Sequence, residues 1–424
     1  MKLSLTPSSL NGTVHVIASK SLSHRYLIAA ALSKEPSILE GLMESDDIDA
    51  TKHALKALGA IIESGYVKGG FPNVRHPEIN ARASGSTVRF MIPIAMVSDK
   101  PVVFRGEHRL PKRSLAAYET MFTSMGYRYE RLSEDHLPLR VQGPLKPGNY
   151  HIRGDVSSQF ITGLLFALPL LEGDSRIVIE GDFQSQSYVG LTVDTLNAFS
   201  IEVNRTDSGY FIPGNQVYQP LHVNVEGDYS QAAFFIVAAL MNRYPLRLDN
   251  LRRESKQGDR RILSIIAGMG GRYEWDQDTL VVHPSTTRGT TIDLADIPDL
   301  GPILMVLAAR SEGETTFTNV QRLRYKESDR VEAMREVLTA FGVFFEATDD
   351  TVTVKGATTF KGDITLDSYD DHRIAMAVII ASLNASGPVT LKNAEAINKS
   401  YPNFVDVFKT LGGSASIFKE GDAQ

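Results

Sequence analysis

The feature that most restricts this chain is an internal repeat. Apolar, helix-like stretches, each opened by a short polar or charged cluster, begin at SKSLSHRYLIAAAL (Ser19), SGSTVRFMIPIAM (Ser84), GDVSSQFITGLLFAL (Gly154), GDYSQAAFFIVAAL (Gly227), PDLGPILMVLAA (Pro298) and DDHRIAMAVIIASL (Asp370). Successive openings lie 65, 70, 73, 71 and 72 residues apart, so six units of about 70 residues account for nearly all of the 424. Each stretch is followed by a β-branched, strand-like run, from PSILEG at Pro36 to PVTLKN at Pro388, and then by a charged loop. A second, amphipathic helix then ends near Gly59, Gly126, Ser200, Gly270, Gly342 and Gly412. Five of these six positions hold glycine, the residue favoured just past a helix end.

The first helix of each unit is apolar nearly all round and is expected inside a shell of other elements, with the second helix outside. A single core stops growing beyond about 250 to 300 residues, so six units imply two lobes of three. The expected lobes are residues 19–228, and residues 1–18 with 229–424, with the active site in the cleft between them.

Composition narrows the function. Lys plus Arg number 44 against 50 Asp plus Glu, a formal charge of −6 that excludes a generally basic nucleic-acid binder. No apolar run reaches 18 residues, and the opening MKLSLTPSS has neither an h-region nor an Arg-rich amphipathic segment, so a soluble cytoplasmic protein is expected. Zero cysteines remove disulfides, thiolate metal sites and any cysteine nucleophile. GxxxxGK[ST], HExxH, GxSxG and GxGxxG are all missing.

The polar residues gather at helix entrances. Ser21, Ser86, Ser157, Ser158 and Ser230 read first as N-caps, and Asp299, Asp370 and Asp371 suit that role too. Lys20, Arg25, Arg89 and Arg373 are harder to explain structurally, because a cation at a helix N-terminus opposes the macrodipole unless an anion sits there. Arg113, Lys326, Arg330 and Lys399 lie in or beside loops, where a solvated face is an equal alternative, and His372 stands beside Arg373. Such a pattern on an acidic protein points to a small polyanionic substrate.

In order and separation, SKSLSHR (Ser19), SGSTVR (Ser84), VSSQF (Val156), IPD (Ile297), YKESDR (Tyr325) and DDHR (Asp370) resemble the 5-enolpyruvylshikimate-3-phosphate synthase family, over nearly the whole chain. The resemblance implies an α/β fold of two lobes, each of three βαβαββ units around buried helices, an inside-out α/β barrel. It also implies transfer of the enolpyruvyl group of phosphoenolpyruvate to the 5-hydroxyl of shikimate 3-phosphate, by a monomer without metal or cofactor and with neither nucleic acid nor membrane as partner. By motif match, Lys20, Ser21, Arg25, Ser157, Ser158, Gln159, Ser185, Tyr188, Asp299 and Lys326 would meet shikimate 3-phosphate. Lys20, Gly85, Arg113, Gln159, Glu327, Arg330, His372, Arg373 and Lys399 would meet phosphoenolpyruvate. Asp299, Glu327 and Lys20 would carry the catalysis, Asp299 as base for the 5-hydroxyl and Glu327 as acid for the methylene carbon.

The enolpyruvyl transferase that acts on UDP-N-acetylglucosamine usually carries a loop cysteine and pairs its first lysine with Asn, whereas this chain has no cysteine and reads Lys20-Ser21. A non-catalytic anion sensor would keep the entrance cations but would not need Asp299, Glu327 and Lys399 together. Within the resemblance this chain departs at IASKS, where PGSKS is usual. It also has Phe90 where many members have Pro, Arg322 where Asn is frequent, and Ala83 where many have Asn. The missing amide at Ala83 predicts weakened inhibition by glyphosate, and Ala83→Asn should tighten it about tenfold, as one neutral hydrogen bond is worth roughly 0.5 to 1.5 kcal/mol. An inhibition titration in which the two proteins coincide would show that this loop is arranged differently.

Overall fold

A computed structural model describes residues 1–70 and 74–418. The six β-branched runs form strands at Ser37–Glu40, Val102–Arg105, Ser175–Glu180, Leu246–Asp249, Glu314–Thr318 and Val389–Lys392. Among the described residues each lies second in a four-stranded sheet of the same design. It pairs in parallel with a short outer strand and antiparallel with a third, which pairs antiparallel with the fourth; Ser175–Glu180 shows this with Asn149–Arg153, Gly209–Ile212 and Asn204–Thr206. Three sheets recruit a strand from far along the chain. His222–Asn224 lies parallel to Ser37–Glu40, Gly12–His15 lies parallel to Leu246–Asp249, and Lys2–Thr6 fits between Val389–Lys392 and Ser414–Phe418.

The chain forms two compact units, Ala18–Glu226, and Met1–Ile17 with Gly227–Gln424. These bounds correct the expected ones at three residues, for reasons visible in the backbone. Gly227 donates to the carbonyl of Asn250 at 2.7 Å and Asp228 to that of Ile17 at 2.9 Å, which ties both to the second unit. Ser19 donates to Glu226 at 2.8 Å, which holds Ala18 to the first.

Within each unit the apolar helices are interior. The first unit holds Lys20–Leu32, Gly85–Ala95 and Ser158–Ala167; the second holds Tyr229–Leu240, Gly301–Arg310 and His372–Ser382. Every residue of Tyr229–Leu240 and of His372–Ser382 is buried, and the three helices of the second unit pack on one another. In the first unit, Gly163 lets Ser158–Ala167 approach Gly85–Ala95 closely: a Cβ there would lie 2.5 Å from the Arg89 carbonyl and 2.4 Å from the Tyr118 hydroxyl. The amphipathic helices, such as Asp46–Ala57 and Arg330–Ala340, cover these bundles with one buried face each. No described helix is long and apolar enough to cross a membrane.

The helix ends obey local chemistry. Ser19, Ser84, Ser157, Asp228 and Asp371 are the N-caps, each accepting from a first-turn N–H. Of the serines expected as caps only Ser157 is one; Ser21, Ser86, Ser158 and Ser230 lie one or two residues inside, where their hydroxyls are available to other partners. Asp299 is no cap either, because Pro298–Leu300 forms a 3₁₀ turn ahead of Gly301–Arg310. Asp370, in a left-handed conformation, precedes the true cap Asp371.

All six amphipathic helices are followed by a left-handed residue: Gly59, Gly126, Gly270, Gly342, Gly412, and Ser200 at φ 62°. A side chain pays about 1 to 2 kcal/mol for that conformation, partly offset by the greater unfolded-state freedom of glycine. Ser200→Gly should therefore raise the melting temperature of the unit that contains it by about 1 to 3 °C, measured by calorimetry; a lowered temperature would show that the Ser200 side chain contributes more than its backbone costs.

Candidate active site

In the Ala18–Glu226 unit, four helix entrances are joined by side chains. Arg25 is 3% exposed. Its Nε donates to Thr192 Oγ1 at 2.9 Å, and its Nη atoms donate to the carbonyls of Ser21 and Tyr188 at 2.8 Å each. The guanidinium also lies 5.6 Å from the centre of the Phe90 ring. All three acceptors are neutral, so the charge is held in place without being cancelled. Burial pushes the Arg25 guanidinium down to about 10, with the Tyr188 hydroxyl opposing, and it remains a cation at neutral pH.

Lys20 pairs with the buried Asp47 across 3.0 Å. His24 hydrogen-bonds Thr51 at 2.8 Å, Thr51 bonds Thr87 at 2.7 Å and Thr87 bonds Ser84 at 2.8 Å, so a hydroxyl chain links the first two inner entrances. Burial lowers the His24 imidazole to about 3, against the pull of Asp47, which keeps it neutral. Arg89 donates to Gln159 Oε1 at 2.7 Å and to the Ser114 carbonyl at 3.1 Å, while Gln159 Nε2 donates to Ser86 Oγ at 2.8 Å. The Arg113 guanidinium lies against Gly85, where a Cβ would come within 2.6 Å of Nη1. Ser157 Oγ accepts from the Gln159 amide at 3.3 Å, and Ser158 is buried beside it. Ser185, also buried, holds φ 54° at the start of Gln186–Ala198 and does not cap that helix with its hydroxyl. A buried non-glycine residue in this conformation is strained, and such residues concentrate at functional sites. The unit thus brings Lys20, Ser21, Arg25, Gly85, Arg113, Ser157, Ser158, Gln159, Ser185 and Tyr188 to linked entrances.

The second unit carries its own cluster, centred on Arg330. The solvated-face alternative fails there, since Arg330 is 1% exposed. Its Nε donates to Asp371 Oδ2 at 2.8 Å, Nη1 to Asp299 Oδ1 at 3.0 Å and Nη2 to Glu327 Oε2 at 2.8 Å. One planar fork therefore spans three carboxylates, a geometry that lysine lacks. Burial opposes the charge on Arg330, but the three acids outweigh it and raise its pKa.

Half-buried Asp299 also receives Lys326 at 3.3 Å and Arg373 at 3.1 Å. Burial favours its neutral form, yet Arg373, Lys326 and Arg330 together hold the carboxyl well below its ordinary value. Arg373 reaches the Asp299 carbonyl at 3.1 Å and Ser230 Oγ at 2.9 Å as well. Burial lowers Lys326 to about 8, against the attraction of Asp299. Lys399 Nζ stands 3.9 Å from Glu327 Oε1, and buried His372 has Nδ1 3.9 Å from Asp371 Oδ1.

The unit thus gathers Asp299, Lys326, Glu327, Arg330, His372, Arg373 and Lys399. The sequence gives no sign of the pairing role of Asp371 or of the part played by Asp47, and it marks Arg89 as an entrance cation without indicating its partner Gln159. Only the DD pairs at 46–47 and 370–371 marked the two acids. Both clusters have the composition of an anion site, in which guanidinium, ammonium and hydroxyl donors outnumber the carboxylates facing them.

A family model described as EPSP synthase (3-phosphoshikimate 1-carboxyvinyltransferase) matches residues 5–408. The 3-phosphoshikimate 1-carboxyvinyltransferase of Clostridium novyi (strain NT) is 42% identical over 97% of both chains. That of Clostridium kluyveri is 41% identical over 99% of both. Among solved structures, EPSP synthase from Acinetobacter baumannii superposes with a TM-score of 0.82 at 24% identity, covering 99% of this chain and 100% of that one. The enolpyruvyl transferase NikO from Streptomyces tendae does so at 0.76 and 16% identity, over 98% of each. The two structural likenesses speak to the two-lobed α/β fold, and the matches along the whole sequence establish that the chain belongs to the EPSP synthase (3-phosphoshikimate 1-carboxyvinyltransferase) family.

Proposed function

We propose that this chain transfers the enolpyruvyl group of phosphoenolpyruvate to the 5-hydroxyl of shikimate 3-phosphate, releasing phosphate, as a step toward aromatic amino acids. Beyond family membership, the observation that carries the reading is the buried Arg25 guanidinium, hydrogen-bonded only to neutral oxygens. Burying a cation is costly unless an anion completes its surroundings, and a substrate phosphate is such an anion. In this reading Lys20, Ser21, Arg25, Ser157, Ser158, Gln159, Ser185 and Tyr188 hold shikimate 3-phosphate with Asp299 and Lys326. Lys20, Gly85, Arg113, Gln159, Glu327, Arg330, His372, Arg373 and Lys399 hold phosphoenolpyruvate.

The reaction is an addition followed by an elimination. Asp299 takes the proton of the 5-hydroxyl as its oxygen bonds to the central carbon of phosphoenolpyruvate, and Glu327 protonates the methylene carbon, giving a tetrahedral intermediate. Glu327 then recovers a proton from the methyl group as the carbon–oxygen bond to phosphate breaks, with Lys20 and Lys399 stabilising the leaving group. The proton taken by Asp299 passes to the departing phosphate, so the steps balance without a cofactor. With the site empty, Asp299 is a weak base because three cations lean on it. Anionic substrates compete for Lys326, Arg330 and Arg373 and thereby restore its basicity. The enzyme works as a cytoplasmic monomer on two soluble anions, a reading that sedimentation and cell fractionation test.

The primary test is phosphate release measured with each substrate alone and with both. Release that ignores shikimate 3-phosphate and responds to UDP-N-acetylglucosamine would overturn the assignment. Lys20→Met should lower turnover by orders of magnitude; because it also strands the buried Asp47 carboxylate, Lys20→Met with Asp47→Asn serves as the stability control. Asp299→Ala should reduce turnover by about 10² to 10⁴ fold while calorimetry still detects shikimate 3-phosphate, and unchanged turnover would remove Asp299 from the base role.

The depressed pKa of Lys326 adds a pH dependence. The ammonium is lost as pH rises through about 8. Substrate affinity should fall above that pH and rise again as pH is lowered. Lys326→Arg should carry the alkaline limb upward, since arginine does not deprotonate in that range; identical pH profiles for the two proteins would show that another group sets the limb.

A further inference from the structure

The second unit also contains a cavity of about 460 Å³, formed by none of the cluster residues above, whose lining includes Arg253, Arg260, Arg261, Tyr273 and the single tryptophan of the chain, Trp275. Its size falls in the range of small-molecule sites, roughly 300 to 1,000 Å³. The stretch from Leu251 to Arg261 that forms its rim has five basic residues against two acidic ones, in a chain whose net charge is −6.

Among the described residues, no carboxylate pairs with Arg253, Arg260 or Arg261, and the Nε of Arg260 is buried with no hydrogen-bond partner. Nearby Arg247, in contrast, is paired with Asp276 at 2.7 Å. Tyr273 and Trp275 are alternate residues of the edge strand Arg272–Asp276, so the pleat turns both rings to the same side, and both are half-buried. Gln257 also lines the cavity but is engaged elsewhere. Its Nε2 donates to the Gly227 carbonyl at 2.8 Å and its Oε1 accepts from the Tyr229 amide at 3.1 Å. Apart from the hydroxyls of Ser255 and Ser264, the polar lining left is cationic, and the apolar wall is mostly aromatic, with Leu263 beside the two rings.

We propose that this cavity is a second ligand site, which takes a planar aromatic ring bearing an anionic group. The arginines pair with the anion, and the ring lies against Trp275 and Tyr273. Neither half of the ligand suffices alone: a free phosphate leaves the aromatic wall exposed, and a neutral ring leaves the guanidiniums of Arg253, Arg260 and Arg261 without an anion.

Because Trp275 is the only tryptophan, its fluorescence reports on this cavity directly. The experiment titrates the full-length protein, saturated with shikimate 3-phosphate, with 4-nitrobenzoate, whose nitroaromatic ring quenches tryptophan on contact. Parallel titrations use 4-nitrobenzyl alcohol and inorganic phosphate. The expected result is saturable quenching by the carboxylate, with the alcohol at least about tenfold weaker and phosphate unable to displace the probe at equal concentration. Arg260→Gln should weaken binding by about tenfold and the exposed Arg253→Gln by a smaller factor, with phosphate release unchanged in the Arg253 variant. Linear, collisional quenching, equal affinity for acid and alcohol, displacement by phosphate, or unaltered binding in both variants would each overturn the proposal. Should Arg260→Gln fail to fold, the Arg253 variant and the acid-to-alcohol ratio still decide it.

Discussion

Enclosure of six helices that have almost no polar face is the constraint on which everything else in this protein rests. A helix such as Tyr229–Leu240, buried at every residue, offers no side to water. It must be wrapped, and each unit supplies three helices with three sheets and an outer layer of amphipathic helices. Once the flanks are sealed, the ends are the only places where an inner helix can carry chemistry. Concentration of serine, arginine and aspartate at the entrances is a geometric result of the packing, and it puts backbone N–H groups and charged side chains in the same small volume.

The two units solve the problem of unneutralised cations differently. Around Arg330 the protein provides its own counterions, three carboxylates arranged on one guanidinium, and the network is nearly self-sufficient. Around Arg25 it provides only hydroxyl and carbonyl oxygens, which orient the charge and leave its field intact. The first arrangement is suited to moving protons among coupled acids, and the second to holding a fixed anion. This division of labour supports the proposed roles of Asp299 and Glu327 in proton transfer and of the entrances of the Ala18–Glu226 unit in phosphate binding.

Much of this was legible in the amino-acid sequence for a physical reason: the repeat is written in short-range terms. Helix ends at Gly59 or Gly342, β-branched runs at Ile38 or Val103 and the cap at Ser157 all depend on neighbours a few residues away. Partnerships over long separations leave no such trace. Nothing local in SDDIDATKHAL indicates that Asp47 meets Lys20, or in SGSTVRF that Arg89 will hold Gln159, 70 residues on. Arg330 was ambiguous for the same reason, since YKESDR reads equally as a charged loop until the fold brings Asp299 and Asp371 to it. The family resemblance supplied the candidate ligand residues, but not the carboxylates and amides that position them.

The insertion of Lys2–Thr6 between Val389–Lys392 and Ser414–Phe418 bears on how the molecule is made. The Ala18–Glu226 unit is continuous and can close as soon as its last strand, His222–Asn224, leaves the ribosome. The other unit is assembled from segments on both sides of that one, Met1–Ile17 before and Gly227–Gln424 after. At about 5 to 20 residues per second, the opening strand waits roughly 10 to 40 seconds between completion of the first unit and arrival of its final partners. Through that interval Leu3 and Leu5, both fully buried in the finished protein, are without their sheet. Nascent chains stalled late in synthesis would therefore display one folded half beside an unpaired strand with two apolar side chains uncovered, a natural recognition site for chaperones.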